Sequence, residues 1–335
     1  MSTAAEVQST GLFHPRRLGH VNLWVDNLKR AETFYNDVCG LAVEFWETDL
    51  VASFLGTGTT PHDLGMIETT GGDARYGLDG VLQITAGVGT TRGLGHLAWE
   101  LTNEVELVEG YRRLLELGIE PEMTVDHQIA HSIYVRDPDG IQIEFYCDTV
   151  KDWSAVLHGE LKLVTSFWTP GEEPPFSDSR VADDPEHHGV ETAAVHPDRL
   201  THVVLVTGDL DRMLEFYQSI AGLSLVKLDQ ESRVAWLGGT ETSYRSSLVI
   251  AESQDPSQIG YHHASFDLGN EAELDRTIER LRLRGIEPEW VVETTDKKSV
   301  FLLDPDGLRS EFYASRTGAL PNAYGGDRAG LLHSI

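Results

Sequence analysis

The sequence contains the same pattern twice, and this internal repeat constrains the fold more than any other feature. The segment LGHVNLWVDNLKRAETFYNDVCGL at residues 18–41 returns as LTHVVLVTGDLDRMLEFYQSIAGL at residues 200–223. Each copy predicts a strand of alternating apolar residues, then a helix, and then a glycine stop. Asp26 and Asp209 are the candidates for the side chain that caps each helix.

A second pair of matching segments follows. GHLAWELTNEVELVEGYRRLLELGIEPE at residues 95–122 corresponds to HHASFDLGNEAELDRTIERLRLRGIEPE at residues 262–289. Both halves then close with an Asp-Pro-Asp-Gly turn between two β-rich runs, SIYVRDPDGIQIEFY and SVFLLDPDGLRSEFY. Each half therefore predicts two β-α-β units.

The repeat also sets the domain boundaries. A chain of 335 residues suits two domains of ordinary size, which we place at residues 14–150 and 199–316. Residues 151–198 are rich in proline and acid and lack periodicity, so they predict a long connection, of which the part near 161–168 could pack on a domain surface. Residues 317–335 predict an irregular tail.

Composition excludes several classes of partner. With 54 acidic and 26 basic residues the formal net charge is −28, which repels phosphate backbones and anionic lipid. Hydrophobic residues make up 40% of the chain, as in folded globular proteins. Cys39 and Cys147 are too few for a disulfide framework, and neither a signal peptide nor a long apolar run is evident. We expect a cytoplasmic protein without nucleic-acid or membrane partners.

The strongest chemical signal is the position of two histidines and one glutamate in each half. They are His20, His96 and Glu144 in the first half and His202, His263 and Glu311 at the matching positions of the second. Two histidines and one carboxylate form the ligand set of a non-haem Fe(II) site with open coordination positions. Glu144 alternates with apolar residues in its strand, where an unpaired carboxylate is costly without a metal or a cation.

On these motifs the whole chain resembles a two-domain extradiol (catechol 2,3-) dioxygenase of the vicinal oxygen chelate (glyoxalase/bleomycin resistance/dioxygenase) superfamily. The further matches are DNLKRAETFY after His20, HDLGM at His62, and YVRDPDGIQIEFY, which ends at Tyr146. The resemblance implies an α+β fold with tandem βαβββ modules, two per domain, each domain a half-open mixed β-barrel. It implies Fe(II), with Mn(II) as the alternative metal.

The same resemblance implies a reaction. An extradiol dioxygenase inserts both atoms of O₂ into a catecholic substrate beside the diol and gives a ring-opened semialdehyde or muconate-type product. Relatives of this kind serve aromatic catabolism and are commonly homo-oligomers. The competing classes are a glyoxalase-like metal-dependent lyase or isomerase, and a non-catalytic binding or resistance protein, because the fold does not fix the reaction.

Acid–base residues favour the first half as the catalytic one. The resemblance implies a catalytic His62, a catalytic Tyr134 ten residues before Glu144, and a catalytic His127, with His131 as the competitor of His127. The second half has Ser246 and Phe301 at the first two of these positions and no histidine at the third. We therefore predict catalysis in the N-terminal domain, although well-known two-domain members use the C-terminal one.

Two alternatives stay open at the level of sequence. The triad His202, His263 and Glu311 is either a second metal site or a remnant of duplication. A third arrangement combines ligands across the halves, for example His20 with His263 and Glu311, because paired modules can be exchanged in this superfamily.

Overall fold

The structure is a computed structural model. It describes residues 11–78, 80–161, 165–182, 185–241, 243, 246–318, 320–323 and 328–335. The first ten residues of the chain, and Gly325 and Gly326 of the predicted tail, lie outside the described residues.

The N-terminal half folds into two βαβββ modules, as predicted. Its elements, in chain order, are β1 (Arg17–Val25), α1 (Leu28–Thr33), a π-helical turn (Phe34–Val38), β2 (Ala42–Glu47), β3 (Ala52–Gly56), β4 (Leu64–Glu68), β5 (Arg75–Tyr76), β6 (Leu82–Ile84), β7 (Gly93–Glu100), α2 (Glu104–Glu116), β8 (Met123–Asp126), β9 (Ala130–Arg136) and β10 (Gln142–Asp148). The strands of the two modules join in the order β2-β3-β4-β1-β7-β10-β9-β8, with parallel and antiparallel pairs.

The C-terminal half repeats this design. Its elements are β13 (Arg199–Thr207), α3 (Leu210–Ser219), β14 (Ser224–Asp229), β15 (Val234–Gly238), β16 (Leu248–Glu252), a 3₁₀ turn (Pro256–Gln258), β17 (Gly260–Asp267), α4 (Glu271–Leu283), β18 (Trp290–Glu293), β19 (Lys297–Leu303), β20 (Arg309–Ser315) and α5 (Arg328–Ser334). The strand order β14-β15-β16-β13-β17-β20-β19-β18 corresponds to that of the first half. The predicted α+β class and mixed, half-open β-barrels are confirmed.

In both halves the two modules meet within the half. β1 pairs with β7, and β13 pairs with β17, each in antiparallel register. The arrangement that takes ligands from both halves is therefore wrong, because the strands that carry them belong to separate sheets.

One of the two predicted helix caps differs from expectation. Asp209 caps α3 by accepting from the Arg212 amide, whereas α1 is capped by Asn27, which accepts from the Arg30 amide. Asp26 lies one residue too early to reach that amide.

The described part of the chain contains no helix that is both long and apolar enough to cross a membrane.

The connection between the domains forms two short strands, which the sequence did not predict. After a 3₁₀ turn (Trp153–Ala155), β11 (Gly159–Leu161) pairs with β2, and β12 (Ser166–Phe167) pairs with β8. β2 and β8 are the two edges of the N-terminal sheet, so one short stretch of chain reaches both sides of its opening. Strands of three and two residues are too short to show a period in the sequence.

The prediction of an irregular C-terminal tail is wrong for its last residues, whereas residues 317–318 and 320–323 lie outside any helix or strand, as predicted. The last residues form α5, and Leu331, Leu332 and Ile335 are buried against Val204 and Trp236 of the C-terminal barrel. A seven-residue helix that contains Gly330 has too few turns to show helical periodicity. Burial of its apolar residues inside the barrel holds it in place.

The domains contact each other through a reciprocal pair of hydrogen bonds from the repeated motifs. The Tyr217 hydroxyl donates to Asp137 of the first Asp-Pro-Asp-Gly turn, at 2.9 Å. The Tyr35 hydroxyl donates to Asp304 of the second, at 3.3 Å. All four side chains belong to repeated positions, so duplication of one module pair explains both contacts.

Candidate metal centre and active site

Three neighbouring strands bring the first predicted triad together. His20 lies on β1, His96 on β7 and Glu144 on β10, which are adjacent in the sheet. The Nε2 atoms of the two histidines lie 3.3 Å apart. The Oε2 atom of Glu144 lies 3.2 Å from His20 Nε2 and 3.1 Å from His96 Nε2.

This spacing fits a divalent metal ion. Ligand bonds of about 2.1 Å that meet at right angles place their donor atoms about 3.0 Å apart. Burial lowers the pKa of His20, so its imidazole is neutral and can act as a ligand. Burial acts to raise the pKa of Glu144, but the two histidines outweigh it and hold that pKa well below its ordinary value. His20 and Glu144 are thus in the charge states that metal binding requires, and the three potential ligand atoms converge.

Two residues that the sequence did not reveal support this triad. The Ser132 hydroxyl on β9 donates to Glu144 Oε1 at 2.6 Å, which leaves Oε2 for the metal. A Cβ atom at residue 19 would lie 2.1 Å from the Tyr146 hydroxyl, so Gly19 is what allows the Tyr146 ring to lie beside His20. Neither position belongs to a ligand pattern, and only the side-chain contacts with Glu144 and Tyr146 identify them.

His62 lies directly beside the triad. It precedes β4 in a turn that Asp63 fixes by accepting from the amide and the hydroxyl of Thr57. Its ring centre is 4.1 Å from that of His20 and 4.8 Å from that of Phe54. Burial, together with nearby His20, lowers the pKa of His62 well below its ordinary value, and neither ring nitrogen has a hydrogen-bond partner in the described residues. The neutral ring is therefore free to exchange a proton with a ligand.

Tyr134 and His127 form a second acid–base group on the other side of the triad. Tyr134 pairs directly with Glu144 in the register of β9 and β10, and its hydroxyl lies 3.1 Å from His127 Nε2. Burial and the charge of Glu144 raise the pKa of Tyr134 well above its ordinary value, so the phenol stays protonated. Burial also lowers the pKa of His127, which leaves a neutral ring.

His131, the competitor of His127, lies elsewhere. Its Nδ1 atom is 2.7 Å from the Glu104 carboxylate on α2, and its ring stacks on Trp168 of the connection at 4.3 Å. It does not line the active-site cavity. His131 instead attaches the connection to the N-terminal domain.

We predict that His131→Gln destabilises the protein in a pH-dependent way. Burial disfavours the protonated ring, but Asp126 and Glu104 outweigh it and raise the pKa of His131 above 6.5. Its stabilising contribution is therefore complete below pH 6.5 and is lost as the pH rises through the raised pKa. Chemical denaturation should show a loss of about 1 kcal/mol at pH 6 and a smaller one at pH 9. An equal loss at both pH values would contradict this charge-dependent role.

A single cavity of about 800 Å³ contains the triad and the three candidate acid–base residues. His20, His96 and Glu144 line it together with His62, Tyr134 and His127. Much of the remaining wall is apolar, including Phe54, Ile67, Val81, Ile84, Val125 and Ile129. The cavity is large enough for a substituted aromatic ring beside the triad.

The C-terminal triad has a different environment. His202, His263 and Glu311 also converge, but the Lys297 ammonium lies among them, 2.5 Å from Glu311 Oε1. The same ammonium donates to the Ile335 carbonyl oxygen at 2.7 Å. Burial lowers the pKa of His202 to about 3 and that of His263 to about 4, so the compensating positive charge comes from Lys297.

Matching positions explain how the two halves diverged. Lys297 opens β19 where Ala130 opens β9, each fourteen residues before the glutamate of its triad. Phe301 pairs with Glu311 as Tyr134 pairs with Glu144. The C-terminal cavity measures about 170 Å³. In the second half, a lysine and the C-terminal helix occupy space that is open in the first.

Comparison with known proteins agrees with this fold. The sequence profile of the Glyoxalase/Bleomycin resistance protein/Dioxygenase superfamily matches residues 17–145 and 199–312, that is, both repeats. The chain belongs to this superfamily, as its motifs predicted.

Two dioxygenases are similar to this chain in sequence, and a glyoxalase is similar to it in fold. The chain is 31% identical to biphenyl-2,3-diol 1,2-dioxygenase 3 of Rhodococcus globerulus over 147 residues, 43% of this chain and 71% of that one. It is 25% identical to catechol-2,3-dioxygenase of Bacillus subtilis over 65% of this chain and 68% of that one. A Mn(II)-bound glyoxalase from Novosphingobium aromaticivorans shares the fold, with a TM-score of 0.60, 14% identity, and coverage of 90% and 83% of the respective chains.

Proposed function

We propose that this protein is an extradiol ring-cleaving dioxygenase whose active site lies in the N-terminal domain. The observation that carries the proposal is the joint placement of a two-histidine, one-carboxylate triad and separate proton-transfer groups around one cavity. The similarity to two catechol-type dioxygenases supports it. A lyase or a binding protein needs the triad but has no evident need for both His62 and the Tyr134–His127 pair.

His20, His96 and Glu144 would hold Fe(II), or Mn(II) as the alternative. When bound, the metal would serve as a template for the catechol and O₂ and as a path for electrons between them. Both oxygen atoms of O₂ end in the product, so the reaction consumes no further reductant. The apolar wall keeps bulk water away from the reacting oxygens.

The chain's own residues move the protons. A neutral His62 can accept a proton at a ring nitrogen as the catechol binds, and can return it to an oxygen atom when the O–O bond breaks. Tyr134 keeps its phenolic proton and can donate a hydrogen bond to an oxygen beside Glu144. His127 orients that phenol through the bond between Nε2 and the hydroxyl.

The test is direct measurement of ring cleavage. The protein is loaded anaerobically with Fe(II) or Mn(II), metal binding is verified by elemental analysis, and catechol, 3-methylcatechol or 2,3-dihydroxybiphenyl is added before air. We expect a yellow ring-fission product and uptake of one O₂ per catechol. Metal-loaded protein that consumes no O₂ with any of them would refute the proposal, and anaerobic turnover of a glutathione hemithioacetal would favour the glyoxalase class.

A further inference from the structure

Glu47 is a buried carboxylate on the wall of the active-site cavity, and the mechanism does not use it. It is the last residue of β2, its exposed fraction is 9%, and it lines the cavity. Successive residues of a strand point to opposite faces. Trp46 faces outward and donates to Glu32 on α1, whereas the Phe45 ring stacks on Phe54 inside the barrel. Glu47 therefore shares the inner face with Phe45.

No partner compensates this carboxylate. Within the described parts of the chain, Glu47 makes no hydrogen bond or ion pair, and nearby Asp49 adds a like charge. Burial raises its pKa to about 7. A buried, unpaired carboxyl group is costly, and replacing it by an apolar residue would remove that cost. Such a residue is typical of a binding site, where the missing partner comes from a ligand.

Its position along the sheet suits contact with a substituent, and its charge also acts on the Tyr134 hydroxyl and helps to raise the pKa of that phenol. β2 lies three strands away from β1, which carries His20, a separation of roughly 14 Å along the sheet. A ligand held by its two oxygens at the triad would therefore present only its far side to Glu47. Leu50, Phe54 and Ile67 line the cavity with Glu47 and favour an apolar ring between the two ends.

The charges around the cavity point to one kind of substituent. Among the described residues that line it, Arg136 is the one lysine or arginine, and it pairs with Glu122 at 2.6 Å. Acidic residues are more numerous: Glu47, Glu122, Asp139, Glu144 and Asp148. Of these, Glu144 would hold the metal, Glu122 pairs with Arg136, and burial raises the pKa of Asp148 well above its ordinary value, so Glu47 and Asp139 are the carboxylates that a substituent can meet. A cavity with this balance attracts cationic groups and repels anionic ones.

We propose that Glu47 determines substrate specificity by binding a hydrogen-bond-donating, preferentially cationic group on the side chain of the catechol. The inference rests on the function proposed above and narrows it. The favoured substrate is a catechol with an alkylammonium substituent, and catechols with a carboxylate substituent are disfavoured. A hydrogen bond to a charged group inside a protein is stronger than a neutral one. This difference in strength sets the expected preference for a cationic over a neutral substituent.

The test compares three substrates of similar shape: dopamine, which is cationic, 4-propylcatechol, which is neutral, and homoprotocatechuate, which is anionic. For the metal-loaded protein we expect the order of kcat/KM to be cationic, neutral, anionic. In Glu47→Gln the ratio of dopamine to propylcatechol should fall about 10- to 100-fold. Anaerobic binding titrations with the same ligands give dissociation constants without turnover, and their ratio should change by the same factor.

A stability measurement separates a specificity residue from a structural one. Glu32 is the matched control, because it is also buried in the N-terminal domain but accepts hydrogen bonds from Trp46 and Ser53. Thermal unfolding of the metal-free protein should show that Glu47→Leu keeps or raises the midpoint, whereas Glu32→Leu lowers it. A lower midpoint for Glu47→Leu would assign Glu47 a structural role and overturn the inference.

The remaining outcomes are distinguishable. If unsubstituted catechol is cleaved but the ratio of dopamine to propylcatechol is the same in the wild type and Glu47→Gln, the specificity role of Glu47 is wrong and the dioxygenase proposal stands. If the metal-loaded wild type cleaves no catechol, the proposed function fails, and the specificity inference fails with it.

Discussion

Glu144→Gln should abolish both metal binding and ring cleavage. Glu144 supplies the one negative charge of the triad, and its Oε2 atom lies within 3.2 Å of both histidine nitrogens. An amide cannot replace that charge, so the affinity for Fe(II) should fall by more than the roughly 10- to 100-fold that is typical when only a supporting residue is lost. Metal content after dialysis and O₂ uptake with catechol are the measurements.

Glu311→Gln is the matched control in the second half. It should leave metal content and O₂ uptake close to the wild type, because Lys297 already provides the cation for that triad. It should instead cost stability, about 3–5 kcal/mol, because the buried ammonium loses its counter-charge. If Glu311→Gln lost the metal and Glu144→Gln kept it, the assignment of the catalytic half would be reversed.

His62→Ala should separate catalysis from metal binding. The side chain touches the triad through ring contact with His20 but is not one of the converging ligands. Loss of a positioned proton-transfer group lowers kcat about 10²- to 10⁴-fold, whereas metal content should stay at the wild-type level. Steady-state kinetics on metal-verified protein measure both quantities.

A second variant controls for the space that alanine opens beside Phe54. His62→Gln fills most of the site and can form hydrogen bonds, but it cannot exchange a proton at neutral pH. It should therefore be as slow as His62→Ala. Wild-type turnover in either variant would remove His62 from the mechanism.

The sequence was most informative where the repeat and the motif coincide. Positions such as His20 and His202 recur at matching places of the repeat, so both triads could be predicted, and the family resemblance of the motifs implied the fold. The resemblance implied Tyr134 ten residues before Glu144, and in the structure the tight Asp-Pro-Asp-Gly turn converts this spacing into direct opposition on adjacent strands. Local spacing is reliable here because the intervening turn has little freedom.

The prediction failed where contacts are distant in sequence and lack a period. The packing of α5 into the C-terminal barrel depends on few apolar side chains, and the pairing of β11 and β12 depends mainly on backbone hydrogen bonds. Asn27 rather than Asp26 caps α1, because a difference of one residue decides which side chain reaches the free amide.

The sequence by itself determined a duplicated pair of modules and two candidate triads. It also showed that the candidate proton-transfer residues occur in the first half and are replaced in the second. Only the tertiary structure decided that each triad forms within its own half, that Lys297 supplies the cation of the second, and that Glu47 faces the first cavity without a partner. The reason is physical. Periodicity and turn spacing are local properties of the chain, whereas the charge balance of a buried site depends on side chains that strand pairing and chain ends bring together from distant positions.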